Sequence, residues 1–425
     1  MDLRKGLELM SDRVAVIQRC IGQISVWLGG AALSIVLAQT FTKPAGAQSF
    51  FGTVITDPTV GADRGSASRV RPVDDITGYL TFDTYGSEDV GPVTLGAGLS
   101  LPNLAADGDQ LDVVFVLGGP SETNALELRA GGFSYRIPLG PDGTMLFTTL
   151  NHGEVVLGTE RSLAFDLTGS RTAFAIGANH SWQLAQTARV TVEGEIAARD
   201  VQGDAFGVAT IDESLRYARL ALLYEQGIPL LLQRRLAVSV TRGLSDFGAS
   251  PVQNPLSSTP GAASDFLRWA ASAEASIPLS TDFVANVGVI GQWTEDSLPA
   301  SQRSGFATNG YARGFDIGFV NEDRCLGART ELAYNIELPD LNAVAEGAPT
   351  RFTQAYFGVD FGILDNVGNA SVAGTSDAWS SASFGFRTLR GNFIGEVSIA
   401  QILDAPAGPV SQADTRLWLR ATIAF

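Results

Sequence analysis

The residues of this chain that could do chemistry are few and scattered. It has two histidines, His152 and His180, and two cysteines, Cys20 and Cys325. Zinc, haem and iron–sulfur centres draw on clusters of these side chains at characteristic spacings. No such spacing occurs, so no metal site and no cofactor are expected. A hydrolytic nucleophile needs a base to orient it, most often histidine. Neither histidine has a Ser/Asp constellation near it in sequence, so no enzyme is expected. The chemistry that remains is docking. In 309-NGYARGFDIGF-319, Arg313 stands between Tyr311 and Phe315 and beside Gly314. An ordinary solvated loop has no packing reason to hold an arginine between two rings and next to a glycine. A plain loop arginine is the alternative.

The elements that must position such a residue are strands. The segment 415-TRLWLRATIAF-425 puts Leu417, Leu419, Ala421, Ile423 and Phe425 on one face and Arg416, Arg420 and Thr422 on the other, the period of two of a β-strand. In 188-ARVTVEGEIA-197, Val190, Val192 and Ile196 oppose Arg189, Glu193 and Glu195. The pattern recurs at 266–276, 353–363 and 381–387. A soluble antiparallel sandwich also alternates. Three features favour a transmembrane antiparallel β-barrel: charge along the polar face of several strands, which a watery lumen tolerates and a packed core does not; connections that alternate short and long; and a final strand ending on Phe425. The all-β reading predicts about sixteen strands, beginning near residues 77, 92, 110, 125, 143, 170, 188, 215, 233, 264, 282, 325, 353, 379, 391 and 415. Sixteen satisfies the even number of bacterial single-chain barrels. Long extracellular loops are expected at 200–214, 244–263, 294–324, 364–378 and 403–414, and 338–351 is long for a periplasmic turn.

A barrel fixes which side chains meet lipid. In 353-TQAYFGVDFGI-363, Phe357, Val359 and Phe361 share a face, so Asp360 faces the lumen. Leu326, Ala328 and Leu332 likewise place Arg329 and Glu331 inward. A basic residue on the lipid face near mid-bilayer costs about 2–4 kcal/mol, which determines the register.

The N-terminus reads as an export signal. Arg4, Lys5, Arg13 and Arg19 flank or precede the nearly uncharged stretch 21–41, followed by Ala45-Gly46-Ala47, a small-residue cleavage site. A membrane anchor is the alternative, since such a stretch can span a bilayer; the cleavage site favours a signal peptide over 1–47. Residues 48–76 read as a periplasmic linker segment, and 77–425 as the outer-membrane barrel. With 29 basic against 45 acidic residues and a formal net charge of −16, nucleic acid is not an expected partner. Cys325 alone lies beyond the signal, so no disulfide framework is expected.

Ordered motifs on this pattern resemble the outer-membrane transporters of two-partner secretion, the TpsB or hemolysin secretion/activation type. Ala312-Arg313-Gly314-Phe315 is similar to a V/I-R-G-F/Y tetrapeptide in a long sixth extracellular loop, with Ala312 in place of a β-branched residue. It is followed by 327-GARTEL-332, similar to G-x-R-x-E-L, and by 357-FGVDFG-362, near F-x-D-x-G. The stretch 78–113 and the 137-IPLGPDGT-144 turn resemble the family's opening hairpin and its P-L-x-x-x-G joint. The resemblance covers roughly 76–425. It implies that the loop 295–324 folds into the lumen as a latch: Arg313 docks on Asp360, Gly314 permits a tight turn, and Tyr311 and Phe315 pack on the wall. It implies an unfolded secreted passenger protein, hemolysin- or adhesin-like, moved to the surface without ATP. It also implies a C-terminal signal around Ile423 and Phe425, read by the barrel-assembly machinery. The family's periplasmic POTRA domains have no counterpart in 48–76, which is below the ~40 residues such a domain needs. A porin-like channel, or a degenerate transporter lacking substrate recognition, is the alternative function.

Overall fold

Sixteen strands close into one antiparallel barrel in which each strand pairs with its neighbours in sequence and β1 pairs with β16. They are β1 (Thr77–Asp83), β2 (Thr94–Pro102), β3 (Gln110–Gly118), β4 (Leu128–Pro138), β5 (Thr144–Val156), β6 (Thr168–Ala185), β7 (Ala188–Ala205), β8 (Val208–Ile228), β9 (Leu232–Leu244), β10 (Leu267–Pro278), β11 (Phe283–Thr294), β12 (Arg324–Glu337), β13 (Arg351–Asn366), β14 (Thr375–Arg390), β15 (Phe393–Asp404) and β16 (Thr415–Ala424). The computed structural model describes residues 76–425 except 87–90, 121–125, 159–164, 229–231, 253, 304–310, 316–321, 338–350, 369–374 and 406–414. The signal expected over 1–47, nearly all of the 48–76 linker and most of the 338–351 turn lie outside those residues.

Alternation sets the faces as the sequence requires. On β13, Phe357 and Phe361 are exposed while Gln354, Tyr356 and Asp360 are buried. On β12, Leu326 and Leu332 face outward and Arg329 and Glu331 inward. On β16, Leu417, Leu419 and Ile423 point to lipid, and Arg416, Trp418, Arg420 and Thr422 point inward. Among the described residues no helix is long and apolar enough to cross a membrane; the crossing is made by strands, whose backbone groups are all satisfied by neighbours. No lysine follows Lys43, so every cationic side chain of the barrel is arginine. Arginine is more weakly hydrated than lysine and pairs with carboxylates through a planar fork, which suits the many lumen arginines that meet carboxylates.

One loop expectation fails. Residues 200–214 are not a loop: β7 and β8 run through them and meet at a two-residue turn, Phe206-Gly207, with φ of 53° and 70°. Two successive positive φ values match the right-handed twist of a hairpin, and the phenylalanine hid that turn because bulky residues seldom adopt them. Strand β8 therefore has 21 residues, where a tilted crossing needs about 9–11. The excess stands on the extracellular side, where the outward side chains become Asp200, Gln202, Asp212 and Arg216, with Arg216 Nη1 2.8 Å from Asp200 Oδ1. The 364–378 loop is likewise shorter than expected, since β13 runs to Asn366 and β14 starts at Thr375.

The barrel closes at its own ends. Strands β1 and β16 pair from Tyr79 opposite Ala424 to Asp83 opposite Arg420. Below that, Gly78 N donates to Phe425 O at 2.8 Å and Phe425 N to Gly78 O at 2.9 Å. A side chain at Gly78 would start 2.6 Å from the Phe425 ring, so the glycine is needed for the terminal aromatic to lie across the seam. Gly78→Val should cost about 1–3 kcal/mol in closure by overpacking, and deleting Phe425 should remove both terminal hydrogen bonds. Each change is expected to lower the heat-modifiable, folded fraction of barrel in outer membranes; wild-type levels in both would show that the seam does not depend on this contact.

Candidate functional site: a loop anchored inside the barrel

The connection between β11 and β12 is extracellular, because both chain ends of a sixteen-strand barrel lie on the periplasmic side. Its described parts turn inward. Residues 311–315 lie against the inner faces of β11 to β16, and the turn is closed by Phe315 N donating to Ala312 O at 2.9 Å. Ala312 has a φ of 55°, a conformation that strains β-branched residues most, so alanine suits this position. Gly314 meets a different demand. A Cβ there would lie 2.9 Å from Ser381 Cβ and 3.1 Å from both the Gln401 carbonyl carbon and Ile402 Cγ1. The tight turn expected at Gly314 is therefore made at Ala312, and the glycine is what lets the loop backbone touch the wall.

The arginine between them is almost completely enclosed. Arg313 Nη2 lies 2.8 Å from Glu331 Oε2, Nη1 donates to Ser383 Oγ at 2.9 Å, and the guanidinium sits 5.0 Å from the centre of the Tyr356 ring. Its backbone is held too: Arg313 N donates to Asp360 Oδ2 at 3.2 Å, and Trp418 Nε1 donates to Arg313 O at 2.6 Å. The expected partner Asp360 thus receives the amide, and the guanidinium goes to Glu331. Register explains the exchange. Glu331 stands opposite Gly358, and a Cβ at 358 would lie 2.8 Å from Nη1. The missing side chain opens a slot towards Glu331, while Asp360 stands opposite Arg329.

Glu331 is 2% exposed and serves two cations. Its other oxygen accepts from Arg387 Nη2 at 2.7 Å and from Asn286 Nδ2 at 2.9 Å. Arg387 Nε donates in turn to Gln354 Oε1 at 2.8 Å, and Tyr356 Oη to Glu396 Oε1 at 2.7 Å. Two rings flank this network. Tyr311 lies under the Arg329 guanidinium, 5.2 Å from ring centre to Cζ, over Gly288, where a Cβ would be 2.3 Å from its hydroxyl. Phe315 packs edge-on against Trp379 at 5.8 Å, in a cluster with Ile290, Cys325 and Leu364.

A second part of the same loop seats higher in the lumen. Leu298 is fully buried against Ala175, Ala197, Tyr217 and Phe266 and leads into a 3-10 turn, Ala300–Gln302. Leu298 N donates to Asp323 Oδ1 at 2.8 Å, and Ala300 N to Ser258 Oγ at 2.9 Å. Ser258 Oγ is itself bonded to the Glu213 carboxylate of β8. Beside it, burial raises the Glu322 carboxyl above its ordinary range, with Arg303 at 3.4 Å opposing the shift.

Of the residues singled out from sequence, Arg313, Gly314, Phe315, Asp360, Arg329 and Glu331 meet in one region of the lumen. Ile423 and Phe425 lie apart, exposed near the end of β16. Sequence reasoning missed Trp418, Ser383 and the glycines at 288 and 358. Trp418 was readable: alternation on β16 turns it inward, and a tryptophan facing a polar lumen needs something to lie against. The histidines take no part, His152 bonding to Thr172 and His180 to Thr144 on paired strands. The arrangement holds a segment of chain against the inner wall through an ion pair, two backbone hydrogen bonds and two packed rings.

Comparison with known proteins speaks to the family and the fold. A family model described as haemolysin secretion/activation protein ShlB/FhaC/HecB matches residues 69–388. The fold is similar to CdiB from Escherichia coli, with a TM-score of 0.69, 17% identity, and coverage of 84% of this chain and 64% of that one. It is similar to CdiB from Acinetobacter baumannii, at 0.64 and 16%, covering 84% and 61%. A third likeness is BamA from Haemophilus ducreyi lacking POTRA domains 1-3, at 0.56 and 10%, covering 84% and 71%. At these identities the structures speak to the fold. The chain spans less than two thirds of the length of the two CdiB structures. No curated protein matches it in sequence.

The slot at Gly358 and the charge at Glu331 can be tested separately. In a Cys325→Ser background, Ala312→Cys places a thiol at a position 3% exposed, and its labelling rate reports how often the loop leaves its seat. Glu331→Gln removes a buried partner worth about 3–5 kcal/mol and should speed labelling at least roughly tenfold. Gly358→Ala, which keeps every charge, should act in the same direction. Unchanged rates in both variants would show that the pair does not hold the loop.

Proposed function

Because the chain belongs to the haemolysin secretion/activation family, we propose that it is the translocation pore of a two-partner secretion pair. In this reading it passes an unfolded exoprotein of the haemolysin or adhesin kind across the outer membrane, with the β11–β12 loop as latch. The observation that carries the reading is the Arg313–Glu331 pair. A loop seated across six strands blocks the path of a polypeptide, so transport requires it to move, and its attachment is suited to reversal. When Arg313 leaves, Glu331 keeps Arg387 and Asn286, so this carboxylate stays paired, while Asp360 gives up the Arg313 amide and keeps Arg329 opposite it on β12. A stranded charge is what makes a broken buried pair expensive.

The lumen supports passage of a chain rather than selection of an ion. Arg189 lies near Glu225, Arg219 near Glu193 and Glu195, and Arg420 near Asp83. Arg136 pairs with Asp112 and Arg235 with Glu225. A wall of paired opposite charges attracts neither sign of small ion strongly and offers an extended polypeptide many weak contacts. No ATP is needed on this reading, because folding of the passenger outside makes the movement directional. Outer-membrane lipid surrounds the apolar face, and the barrel-assembly machinery is the partner assigned to the terminal strand carrying Ile423 and Phe425.

In planar bilayers the wild-type barrel should be mostly closed with brief openings, and Arg313→Ala should raise the open fraction. The same substitution should alter surface delivery of the passenger. A steadily open wild-type channel would favour a general pore, and unchanged conductance and export in Arg313→Ala would refute the latch.

A further inference from the structure

The upper seat of the loop contains an arrangement separate from the Arg313–Glu331 pair. Arg199 of β7 and Arg268 of β10 are lumen arginines whose guanidiniums end on backbone carbonyls of the loop: Arg199 Nη1 donates to Ser301 O at 2.6 Å and Arg268 Nη1 to Gln302 O at 2.9 Å. Among the described residues neither meets a carboxylate, although Arg136, Arg189, Arg219, Arg235, Arg387 and Arg420 all do. Both have a buried Nε with no acceptor. What positions them is neutral. Arg199 Nη2 reaches Tyr217 Oη at 3.3 Å with its Cζ 5.6 Å from that ring, and Arg268 Nη2 reaches Thr241 Oγ1 at 3.2 Å. The two cations are thus aimed and left without a counter-charge, and two consecutive peptide carbonyls are the acceptors the loop offers them.

We propose that Arg199 and Arg268 form a carbonyl-binding clamp for polypeptide passing through the barrel, occupied at rest by the barrel's own Ala300–Gln302 turn. The proposal rests on the translocation reading above and adds the site and the chemistry of contact. A buried guanidinium without an acceptor is unfavourable, so a departing turn leaves a demand for oxygen atoms. An extended chain offers a carbonyl at every residue whatever its side chains, which is what a pore for a long and varied sequence needs. The loop would then compete as an internal mimic of the passenger. Its upper seat recognises no loop cation, whereas the lower seat depends on the loop's own Arg313.

The test uses the full chain in planar bilayers, with the loop released by Arg313→Ala, Leu298→Gly and Gln302→Pro, none of which alters the wall. Gln302→Pro removes the amide that closes the turn on Pro299 O at 2.8 Å. The probe is a capped glycine–serine–glutamine peptide without charged side chains, long enough to thread the barrel. It should block the open channel in discrete events, and adding Arg199→Gln with Arg268→Gln should shorten those events roughly tenfold. Equal dwell times would overturn the clamp and leave translocation standing. No block in either protein would overturn both. If the released chain does not give a heat-modifiable barrel, Arg199→Gln with Arg268→Gln in the unreleased chain decides. The open fraction should rise because the turn has lost its caps, and an unchanged open fraction would overturn the proposal.

Discussion

A single carboxylate, that of Glu331, is shared between an arginine of the wall and an arginine of the loop, and the interior of the barrel is arranged around that sharing. One oxygen faces Arg387 and Asn286, the other Arg313. An ion pair taken out of water is stable only if the remaining hydrogen-bonding capacity is also met, and here Ser383, Gln354, Tyr356 and Glu396 complete the set. The strands must then keep one register, because a one-residue slip of β12 would turn Glu331 into lipid and a slip of β13 would do the same to Asp360.

The barrel was readable because its two solvents differ so strongly. Lipid on one side and a charged lumen on the other write a period-two pattern along each strand, and 353-TQAYFGVDFGI-363 states its orientation through Asp360 alone. The pattern also carried the inward placement of Arg329 and Glu331. It failed at 200–214, where the outward residues become polar because β7 and β8 have left the membrane. The contrast that marks a strand ends at the headgroups although the strand continues.

The site was legible in its members and not in its pairings. Alternation says which side chains enter the lumen, but not how far each reaches or which of two neighbouring carboxylates a guanidinium selects. That choice depends on Gly358, whose contribution is space. The same holds for the turn. Glycine is the usual residue for a positive φ, so Gly314 drew that role in the sequence, while Ala312 performs it and Gly314 provides contact distance. Arg199 and Arg268 were also out of reach, since their partners are carbonyl groups that every residue possesses.

The three glycines of the lower seat share a property that charge does not describe. Gly288 receives the Tyr311 hydroxyl, Gly358 the Arg313 guanidinium, and Gly314 the wall itself. Together they form a mould, in which the shape of the closed loop is recorded as places where the chain has nothing. A mould is indifferent to salt and pH, and a single methyl group in it forces something to shift. A related barrel could keep every charged residue of the network and still be unable to seat this loop if any of these three hollows were filled. Whether the loop can lie where it does is therefore written in hydrogen atoms as well as in ions.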